Sequence, residues 1–476
     1  MRDLRDWLQK VEDLKEVQHV KGANWELELG AITALWGADK RCLLFDDIPG
    51  YPKGFRVLTH SLSSFSRIAL TFGIRDVSSK ADLVVKCRNL LKSPLIAPRE
   101  VDKGPVFENV DNEKEVDLYK FPAPKWHAHD GGRFLGTGCV VITRDPDTGW
   151  VNLGTYRVMI QDANHCGVFM ILGKHGRIML EKYKERRQAC PIAISLGHDP
   201  LLFLLGGVEI PFGVSEYDLA GGIAGEPLSI IKGPLTGLPI PATAEIVLEG
   251  EIPPGAEQAE GPFGEWTGYY GGGLSPKPLM TVKRVAYRND PIILGAPPGK
   301  PPSDNTYFLS PIKAAGVWNE LEQAGLPGIK GVWEMEAGGG RMLLVVAIQQ
   351  MYPGHSKQVG NVAAQCHQGG YSNRFTVVVE DDIDPTNLEE VTWAVCTRVD
   401  LERDINVVQG CWTSPVDPMR YPLTSDRDVY NSRAIIDACR PWERRATFPM
   451  VAATSREYKE EIMAKWESLF KQSSRV

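Results

Sequence analysis

The spacing of apolar residues changes along this chain of 476 residues, and the spacing separates helices from strands. Five apolar residues near the amino end follow the spacing of an amphipathic helix: Leu4, Trp7, Leu8, Val11 and Leu14. From about 133 to 290 the apolar runs are short and broken by Gly and Pro, which predicts many short strands of a barrel or sandwich. From about 300 onwards, helical and strand patterns alternate.

The same criterion gives bounds for further elements. It predicts helices over Ser63–Phe72, Lys80–Leu91, Arg177–Cys190, Ser310–Ala324, Pro385–Thr397 and Ser455–Lys471. It predicts strands over Cys42–Phe45, Gly138–Thr143, Trp150–Ile160, Val168–Leu172, Pro191–Leu196, Leu201–Leu204, Pro241–Glu251, Leu279–Tyr287, Pro291–Leu294, Met342–Gln349 and Phe375–Val379. The sequence DPDTG at 145–149 indicates a hairpin turn. Residues 93–125, rich in Pro and charge, are predicted to connect a small α/β domain to the next domain.

Composition narrows the class of protein. The chain is 43% hydrophobic and 24% charged, with a net charge of −7, which disfavours nonspecific nucleic-acid binding. The absence of an apolar run of about 18 residues predicts no membrane span. The nine cysteines of the chain form no C-x-x-C pair, which favours reduced thiols and a cytoplasmic location. Any anionic ligand would need a local Arg or Lys.

The segment EGPFGE at 260–265 carries two carboxylates five residues apart. Pro262 and the neighbouring glycines exclude a regular helix, so a rigid turn could direct Glu260 and Glu265 into one cavity. Two acids in one cavity push their pKa values apart, as general acid–base chemistry requires. A polar surface loop is the alternative, although Phe263, Trp266 and Tyr269 interleave with these acids.

Other polar residues of the strand-rich region could join these acids. Arg157 shares a predicted strand with Asn152, and a buried Arg needs a carboxylate partner. An edge strand with Arg157 in solvent is the alternative. His175 follows a predicted strand, and Glu216 precedes a glycine-rich run; with Asn152 they offer ligands that suit Mg²⁺ or Mn²⁺. A capped turn at His175 remains the simpler interpretation of that residue alone.

Several familiar motifs are absent or weak. The H-x-H at 127–129 fits an exposed turn, and the acidic cluster at 380–384 fits a strand end and helix cap better than a calcium loop. The chain has no Walker A sequence, no G-x-S-x-G and no G-x-G-x-x-G placed between a strand and a helix. Classical nucleotide, dinucleotide and serine-hydrolase sites are therefore disfavoured.

Six ordered blocks resemble the UbiD family of reversible (de)carboxylases, which use prenylated FMN, and its ferulic acid decarboxylase branch is a useful comparison. The blocks are DGGR at Asp130–Arg133, N-x4-R at Asn152–Arg157, His175, PFGVSE ending at Glu216, EIVLEGE at Glu245–Glu251 and EGPFGE-x-x-GY at Glu260–Tyr269. The resemblance implies an α/β (α+β) fold, with a central split β-barrel flavin-binding domain at 116–298. An N-terminal α/β domain at 1–115 and a C-terminal α/β oligomerisation domain at 299–476 would flank it.

The resemblance also assigns residues. It implies a catalytic Glu–Arg–Glu network of Arg157, Glu260 and Glu265, and Mn²⁺ ligands at Asn152, His175 and Glu216, with K⁺ nearby. The residues implied to bind the cofactor are Asn152, Gly154, Thr155, Tyr156, Arg157, Lys174, His175, Gly207, Val208, Glu216 and Gln368. Arg157 would bind the substrate carboxylate, and Glu265 would protonate the carbon from which CO2 leaves. A flavin prenyltransferase would supply the cofactor, and a homodimer or larger homo-oligomer is expected.

Departures from the family pattern bear on substrate and cofactor. Gln368 stands where family members often place a Lys near the cofactor phosphate. Either the neighbouring His367 substitutes for that Lys or the phosphate depends more on the metal, and whether Gln368 or His367 contacts the phosphate stays open. The segment Gln409–Thr413 lacks the aromatic clamp of phenylacrylate decarboxylases, which favours a benzoate-like or heteroaromatic acid over a cinnamate. Gly295–Asp304 lacks the groups that would bind a second carboxylate.

Three alternatives remain. A UbiD-like carboxylase subunit of a multi-component complex would work towards acid synthesis and could depend on partner subunits. A glycosidase would use the two acids but leave Arg157, Asn152 and His175 without a role. A non-catalytic flavin-binding or scaffold protein would show no turnover.

Overall fold

The structure is a computed structural model that describes residues 3–37, 41–422, 429–467 and 469. Its amino-terminal elements are α1 (Leu4–Asp13), β1 (Val17–Lys21), α2 (Glu28–Trp36), β2 (Cys42–Asp46), β3 (Arg56–Thr59), α3 (Phe65–Phe72) and α4 (Lys80–Leu90). The predicted first helix is confirmed. Its N-cap Asp3 accepts hydrogen bonds from the backbone N–H groups of Arg5 and Asp6, and Leu4, Trp7, Leu8 and Val11 are buried.

The middle of the chain is dominated by strands, as predicted. Its elements are β4 (Arg99–Glu100), β5 (Asn109–Asn112), β6 (Phe134–Gly136), β7 (Val140–Arg144), β8 (Val151–Gly154), β9 (Val158–Ile160), β10 (His165–Val168), α5 (His175–Glu185), β11 (Cys190–Leu196), α6 (Pro200–Gly206), α7 (Glu216–Ala224), β12 (Ser229–Lys232), β13 (Pro239–Pro241), β14 (Ile246–Ile252), β15 (Glu257–Glu260), β16 (Ser275–Tyr287) and β17 (Ile292–Leu294). The predicted hairpin forms, because β7 pairs antiparallel with β8 across the turn at 145–149. Strand β7 is buried on both faces, since Val140 and Ile142 pack in one hydrophobic cluster and Val141 packs in another.

Among the described residues, the strands of the middle region do not close into a barrel. Ten strands form one sheet in the order β6-β9-β10-β16-β14-β11-β7-β8, with β5 and β15 also pairing with β16. The sheet bends at irregular pairings near Gly136 and between Glu249 and Gly250. The two end strands, β6 and β8, are only three and four residues long and do not pair with each other among the described strands. The sheet therefore curves but stays open.

The apolar run Leu201–Leu204 forms part of helix α6, so the predicted strand was wrong. Pro200 occupies the first turn of the helix, and the side chain of the N-cap Asp199 accepts a hydrogen bond from the backbone of Leu201. All four residues of the run are buried. A run that is apolar on every side gives no period, so its sequence could not separate a buried helix from a buried strand.

The next departures concern the chain around α5. Strand β10 ends at Val168 rather than Leu172, because the chain turns where the N–H of Lys174 donates to the carbonyl of Ile171 at 3.2 Å. Helix α5 starts at His175 and ends before the predicted limit. Arg187, with a φ of 57°, takes a left-handed conformation that a helix cannot continue. The turn between Ile171 and Lys174 therefore places His175 at the start of α5.

Strands also cross the predicted domain boundaries. The sheet of the amino-terminal part has the order β1-β2-β3-β17, and β17 comes from residues beyond the middle sheet. The predicted connector at 93–125 supplies β4 and β5, which pair with β12 and β16. The boundaries at 115 and 298 stay a prediction, but the connector is a structural part of the sheets.

The carboxy-terminal region alternates helices and strands. Its elements are α8 (Asp304–Gln323), β18 (Ile329–Glu334), β19 (Leu343–Ile348), α9 (His355–Gln365), α10 (His367–Gly370), β20 (Phe375–Glu380), α11 (Leu388–Arg398), β21 (Ile405–Trp412), β22 (Tyr430–Asp437) and α12 (Arg456–Lys465). The five strands form a sheet in the order β18-β19-β20-β22-β21. Helix α8 is 20 residues long, mostly buried, and its N-terminal turn reaches the cavity described below.

Three smaller predictions can be compared with this region. The acidic cluster lies where β20 ends, at Glu380, and Asp382 pairs with Arg398 at 2.8 Å, as expected for a strand end near a helix.

Residues up to Cys439 form one compact unit, and the segment from Arg440 forms a second unit that contains α12. The predicted terminal helix extends to Lys471, but 468 and 470–471 lie outside the described residues. Among the helices that the structure describes, none has the length and apolar character to cross a membrane.

Candidate active site

A single large cavity gathers most of the predicted site residues. Its volume, counted out to the open mouth, is about 1230 Å³. The predicted residues that line it are Asn152, Gly154, Thr155, Tyr156, Arg157, Lys174, His175, Gly207, Val208, Glu216 and Glu265. Glu260 and Gln368 are not among the lining residues. Apolar and aromatic side chains form much of the remaining wall, including Phe169, Ile171, Phe308, Leu309, Trp412 and Val416.

The break between β8 and β9 brings Arg157 to this cavity. The predicted strand Trp150–Ile160 is interrupted after Gly154, and the N–H of Thr155 donates to the carbonyl of Gly206 at 2.8 Å. The interruption lets residues 155–157 line the cavity instead of pairing within the sheet. Arg157 is buried, which excludes the alternative of an edge strand with Arg157 in solvent.

The acid segment is braced by the turn at Asp130. The N–H of Gly264 donates to the Asp130 carboxylate at 3.0 Å, and the N–H of Gly131 donates to the carbonyl of Pro262 at 2.8 Å. A Cβ atom at Gly131 would lie 1.9 Å from the carbonyl oxygen of Gly261, so only glycine permits this approach. Asp130 is buried and was not among the predicted site residues. Its role follows from these contacts.

Arg157 lies between the two predicted acids. Its Nε and Nη2 donate to the two carboxylate oxygens of Glu260 at 2.9 and 2.7 Å, which is a bidentate pair. Its Nη1 donates to Glu265. The guanidinium carbon lies 4.2 Å from the ring centre of Phe169. All three charged groups are buried, so the geometry joins them as one Glu–Arg–Glu network.

The environment of Glu265 favours its neutral form. Burial raises the pKa of Glu265 to about 7; Arg157 opposes this shift, and the charges of Glu260 and Asp130 add to it. Glu265 lines the cavity, whereas Glu260 lies behind Arg157. The two acids therefore differ: one can hold a transferable proton at the cavity wall, and the other fixes the guanidinium.

Asn152 and Glu216 form a second polar group of this cavity. Asn152 Nδ2 and the backbone N–H of Leu153 donate to the two carboxylate oxygens of Glu216, at 2.8 and 2.7 Å. Burial raises the pKa of Glu216 to about 8, because no cation compensates its charge. Asn152 Oδ1 is buried without a hydrogen-bond partner. A buried carboxylate and an orphaned amide oxygen fit a hard divalent cation.

His175 lines the same cavity as these two residues. Burial lowers the pKa of His175 to about 4, helped by the charges of His367 and Lys174, so the imidazole is neutral and able to bind a metal. Across the described residues, no group of three or more His, Cys, Asp and Glu side chains is arranged to hold a metal. The predicted set includes an amide ligand, Asn152, which such a group would omit.

A cluster of charged residues lies at this cavity, and of its members only Lys174 was predicted; Glu209, Lys313 and Arg341 were missed. Lys174, Lys313 and Arg341 all donate to the carboxylate of Glu209, which is buried. Lys174, Glu209 and Arg341 line the cavity. Two local signals were available: a lone Lys in the apolar helix α8, and an Arg directly after Gly338–Gly340.

Gln368 has a different environment from the one expected of a phosphate ligand. The side-chain amide of Gln368 donates to the backbone carbonyl of Glu209. The backbone carbonyl of Gln368 accepts a hydrogen bond from Lys313 Nζ at 2.7 Å. The neighbouring His367 does line the cavity. Of the two residues, His367 is the one with access to a ligand there.

Known proteins share both sequence and fold with this chain. Family models described as the N-terminal, Rift-related and C-terminal domains of 3-octaprenyl-4-hydroxybenzoate carboxy-lyase, UbiD, match residues 5–86, 99–301 and 306–438. A pyrrole-2-carboxylic acid decarboxylase of Pseudomonas aeruginosa is 32% identical over 412 residues, covering 83% of this chain and 82% of the relative.

Two solved structures extend the comparison. The closed form of the vanillic acid decarboxylase of Sedimentibacter hydroxybenzoicus superposes with a TM-score of 0.86 at 26% identity, covering 100% of this chain and 99% of the other. An evolved dimeric form of the UbiD-class enzyme HmfF from Pelotomaculum thermopropionicum, in complex with prenylated FMN, gives a TM-score of 0.82 at 25% identity, covering 96% of this chain and 98% of the other. With three family models matching most of its length, the chain belongs to the UbiD family and is a carboxy-lyase.

Proposed function

We propose that this protein catalyses the reversible, non-oxidative decarboxylation of an aromatic, heteroaromatic or α,β-unsaturated carboxylic acid with prenylated FMN. The observation that carries the proposal is the buried network of Glu260, Arg157 and Glu265 at the wall of a large, mostly apolar cavity. When bound, the flavin supplies the electron sink for the departing carboxylate. A relative of the same fold, HmfF, is described in complex with this cofactor.

The residues of the network have separate tasks in this proposal. Arg157 keeps N–H groups beyond those taken by Glu260, and it binds the substrate carboxylate in its ionised form. Glu260 holds the guanidinium in place from the side away from the cavity. Glu265 is partly protonated near neutral pH and delivers its proton to the carbon that has lost CO2. In the carboxylation direction, Glu265 accepts the proton from the same carbon.

Asn152, His175 and Glu216 are proposed to hold Mn²⁺ beside the cofactor phosphate, with K⁺ nearby. The support is the orphaned Asn152 Oδ1, the uncompensated carboxylate of Glu216 and the neutral imidazole of His175. Manganese accepts this mixture of oxygen and nitrogen ligands. The metal would supply positive charge that this acidic protein lacks on its surface.

Removal of the metal should make the stability of the protein more sensitive to pH. The pKa of Glu216 in the folded, metal-free protein is about 8, above its unfolded value. Stability is therefore highest at low pH and falls as pH rises through about 8, where the buried carboxyl must ionise. Added Mn²⁺ should restore the thermal unfolding midpoint at pH 8.5.

The Glu216→Gln variant tests this prediction against the exposed control Glu226→Gln. The Glu216 variant should lose both the Mn²⁺ response and the decline through pH 8, and Mn²⁺ retained after gel filtration should drop in parallel. The control should keep all three properties. An unchanged Mn²⁺ content in the Glu216 variant would remove this residue from the proposed metal site.

Asn305 narrows the proposed substrate. It lines the cavity from the first turn of α8, and its side-chain oxygen is buried without a hydrogen-bond partner. Phe308 and Leu309, one turn further on, present apolar surface to the same cavity. A ring N–H or O–H group would satisfy this amide, and a site built around such a bond discriminates against acids that lack the donor. We therefore propose a pyrrole-like or hydroxylated aromatic acid.

The proposed function is tested with protein co-expressed with a flavin prenyltransferase. The purified protein should carry a flavin heavier than FMN and release CO2 from an aromatic or heteroaromatic acid. Pyrrole-2-carboxylate and hydroxybenzoates should react faster than cinnamate. Incubation of the product with bicarbonate should show the reverse reaction. A flavin-loaded protein that turns over no acid in either direction, alone, would instead favour a non-catalytic role or a subunit that requires partners.

Two further parts of the proposal concern the state of the protein in the cell. A homodimer or larger homo-oligomer is proposed; an evolved form of the relative HmfF is described as dimeric. A cytoplasmic location is proposed because all nine cysteines are free thiols in the structure.

A further inference from the structure

Three cationic side chains converge on one buried carboxylate at the cavity. Glu209 accepts hydrogen bonds from Lys174 Nζ at 2.5 Å, Lys313 Nζ at 3.1 Å and Arg341 Nη1 at 3.0 Å. We call these four residues the Glu209 cluster. They come from four separate parts of the chain: the start of α5, the segment after α6, the middle of α8 and the loop before β19.

The cluster holds more positive than negative charge. Three cations face one carboxylate, which leaves a surplus of two positive charges in a largely buried place. The side chain of Lys313 is 0% exposed and that of Glu209 is 2% exposed. Buried charge is costly unless an opposite charge accompanies it. The surplus therefore indicates a ligand that is a dianion.

The neighbouring acidic residues do not remove this surplus. Glu334 lies close enough to interact with Lys313 and Arg341, but both of its carboxyl oxygens are buried without hydrogen-bond partners. Burial raises the pKa of Glu334 to about 8, so this group is mostly neutral at pH 7. Glu320 accepts a hydrogen bond from the backbone N–H of Gln368, and in the ion pairs of the described residues the three cations pair with Glu209 rather than with Glu320.

The three cations differ in whether they reach the cavity, and this difference gives them two roles. Lys174 and Arg341 line the cavity, whereas Lys313 does not. Lys174 also lies 3.9 Å from the ring centre of Tyr371, and Arg341 donates to the carbonyl of Gly207 at 3.2 Å, so both are held in position. Lys313 is fixed from behind by Glu209 and the carbonyl of Gln368.

We propose that the Glu209 cluster is the receptor for the phosphate dianion of the flavin cofactor. Lys174 and Arg341 contact the phosphate, while Glu209 and Lys313 are positioning residues that aim these two cations and add charge from behind. The guanidinium of Arg341 offers two donors to phosphate oxygens, and Lys174 acts as a point charge. Lys313 thus supplies, from helix α8, the positive charge that Gln368 does not carry. This inference rests on the proposed function, because it assumes a flavin with a phosphate group.

The experiment compares the binding of FMN with that of riboflavin, which lacks the phosphate. Fluorescence quenching is measured for the flavin-free protein in the presence of Mn²⁺. The unchanged protein should prefer FMN. Lys174→Met and Arg341→Met should each reduce this preference by about tenfold or more, the loss expected for one charge-assisted hydrogen bond, with little change for riboflavin. Lys313→Met should reduce the preference by a smaller factor, although it lies outside the cavity wall.

The control is Lys330→Met, which removes an exposed lysine from β18 and should leave the preference unchanged. Riboflavin binding reports the integrity of the cavity in each variant, so a variant that fails to fold is recognised by the loss of both ligands. In that case Lys174→Gln and Arg341→Lys are measured instead, and both should retain part of the preference. An undiminished preference for FMN in the Lys174 and Arg341 variants would overturn the inference. Failure of the unchanged protein to bind either flavin would instead contradict the proposed function.

Discussion

Replacing Glu265 with Gln should lower the rate of decarboxylation by about 10²- to 10⁴-fold, the range for loss of a general acid, while the flavin remains bound. Gln fills the same volume and keeps a hydrogen-bonding group beside Arg157, but it cannot deliver a proton. Flavin absorbance and intact mass measured on the same sample establish that the cofactor is present.

The pH profile gives this prediction a second readout. Burial raises the pKa of Glu265 to about 7, so the protonated acid predominates below that pH. In the decarboxylation direction, kcat/KM should therefore decline as pH rises through about 7, because the free enzyme loses its proton donor. In the carboxylation direction the same group must be ionised, and the dependence should reverse.

The matched control is Glu257→Gln, an exposed acid on the strand that carries Glu260. It should leave both the rate and the pH profile unchanged. If the Glu265 variant kept full activity, or kept the decline near pH 7, the proton donor would have to be another group.

Replacing Arg157 with Met should be the most destabilising single change at this site. Removing one partner of a buried ion pair costs about 3–5 kcal/mol, since the remaining charge has no compensation. Here two buried carboxylates, Glu260 and Glu265, would lose the cation between them. We expect a marked decrease in the thermal unfolding midpoint of the flavin-free protein at pH 8.

The size of this effect should depend on pH and on Glu260. Without Arg157 the buried carboxyls have no compensating cation, so the loss of stability should be larger at pH 8, where ionisation is favoured, than at pH 5.5. The double variant Arg157→Met with Glu260→Gln should recover part of the loss at pH 8. Arg186→Met is the control, because the pair of Arg186 with Asp147 is about 40% exposed; it should cost less than about 1 kcal/mol. Equal losses at pH 5.5 and pH 8 would indicate that packing, rather than charge, is responsible.

Much of the acid–base site could be predicted because its residues have unusual chemistry for their surroundings. Arg157 stands in an apolar strand pattern, and a buried Arg requires a carboxylate. Glu260 and Glu265 lie on a segment that Pro and Gly keep out of a helix. These constraints are local, so the sequence displays them. The structure then adds the distances that join the three groups.

The remaining features depend on contacts that no local pattern encodes. Lys174, Glu209, Lys313 and Arg341 meet across sequence separations of 35 to 132 residues. In the sequence, Lys313 is simply one polar residue of a predicted helix, and nothing next to it indicates the partners that it meets. Whether the sheet closes into a barrel depends on whether two short end strands pair, and hydrophobic alternation within each strand carries no information on that pairing.

The close approach of Gly131 to Gly261 has a consequence for how this enzyme can change its substrate. The proton-transfer machinery is fastened by backbone contacts between the turn at Asp130 and the acid segment, where even a methyl group would not fit. The apolar walls that would face a substrate ring under the proposed function, such as Phe308 and Leu309, belong to α8 and take no part in that fastening. Substitutions at these walls should therefore reshape substrate preference while the acid–base chemistry stays intact. In this protein, specificity and reactivity occupy separable parts of the chain.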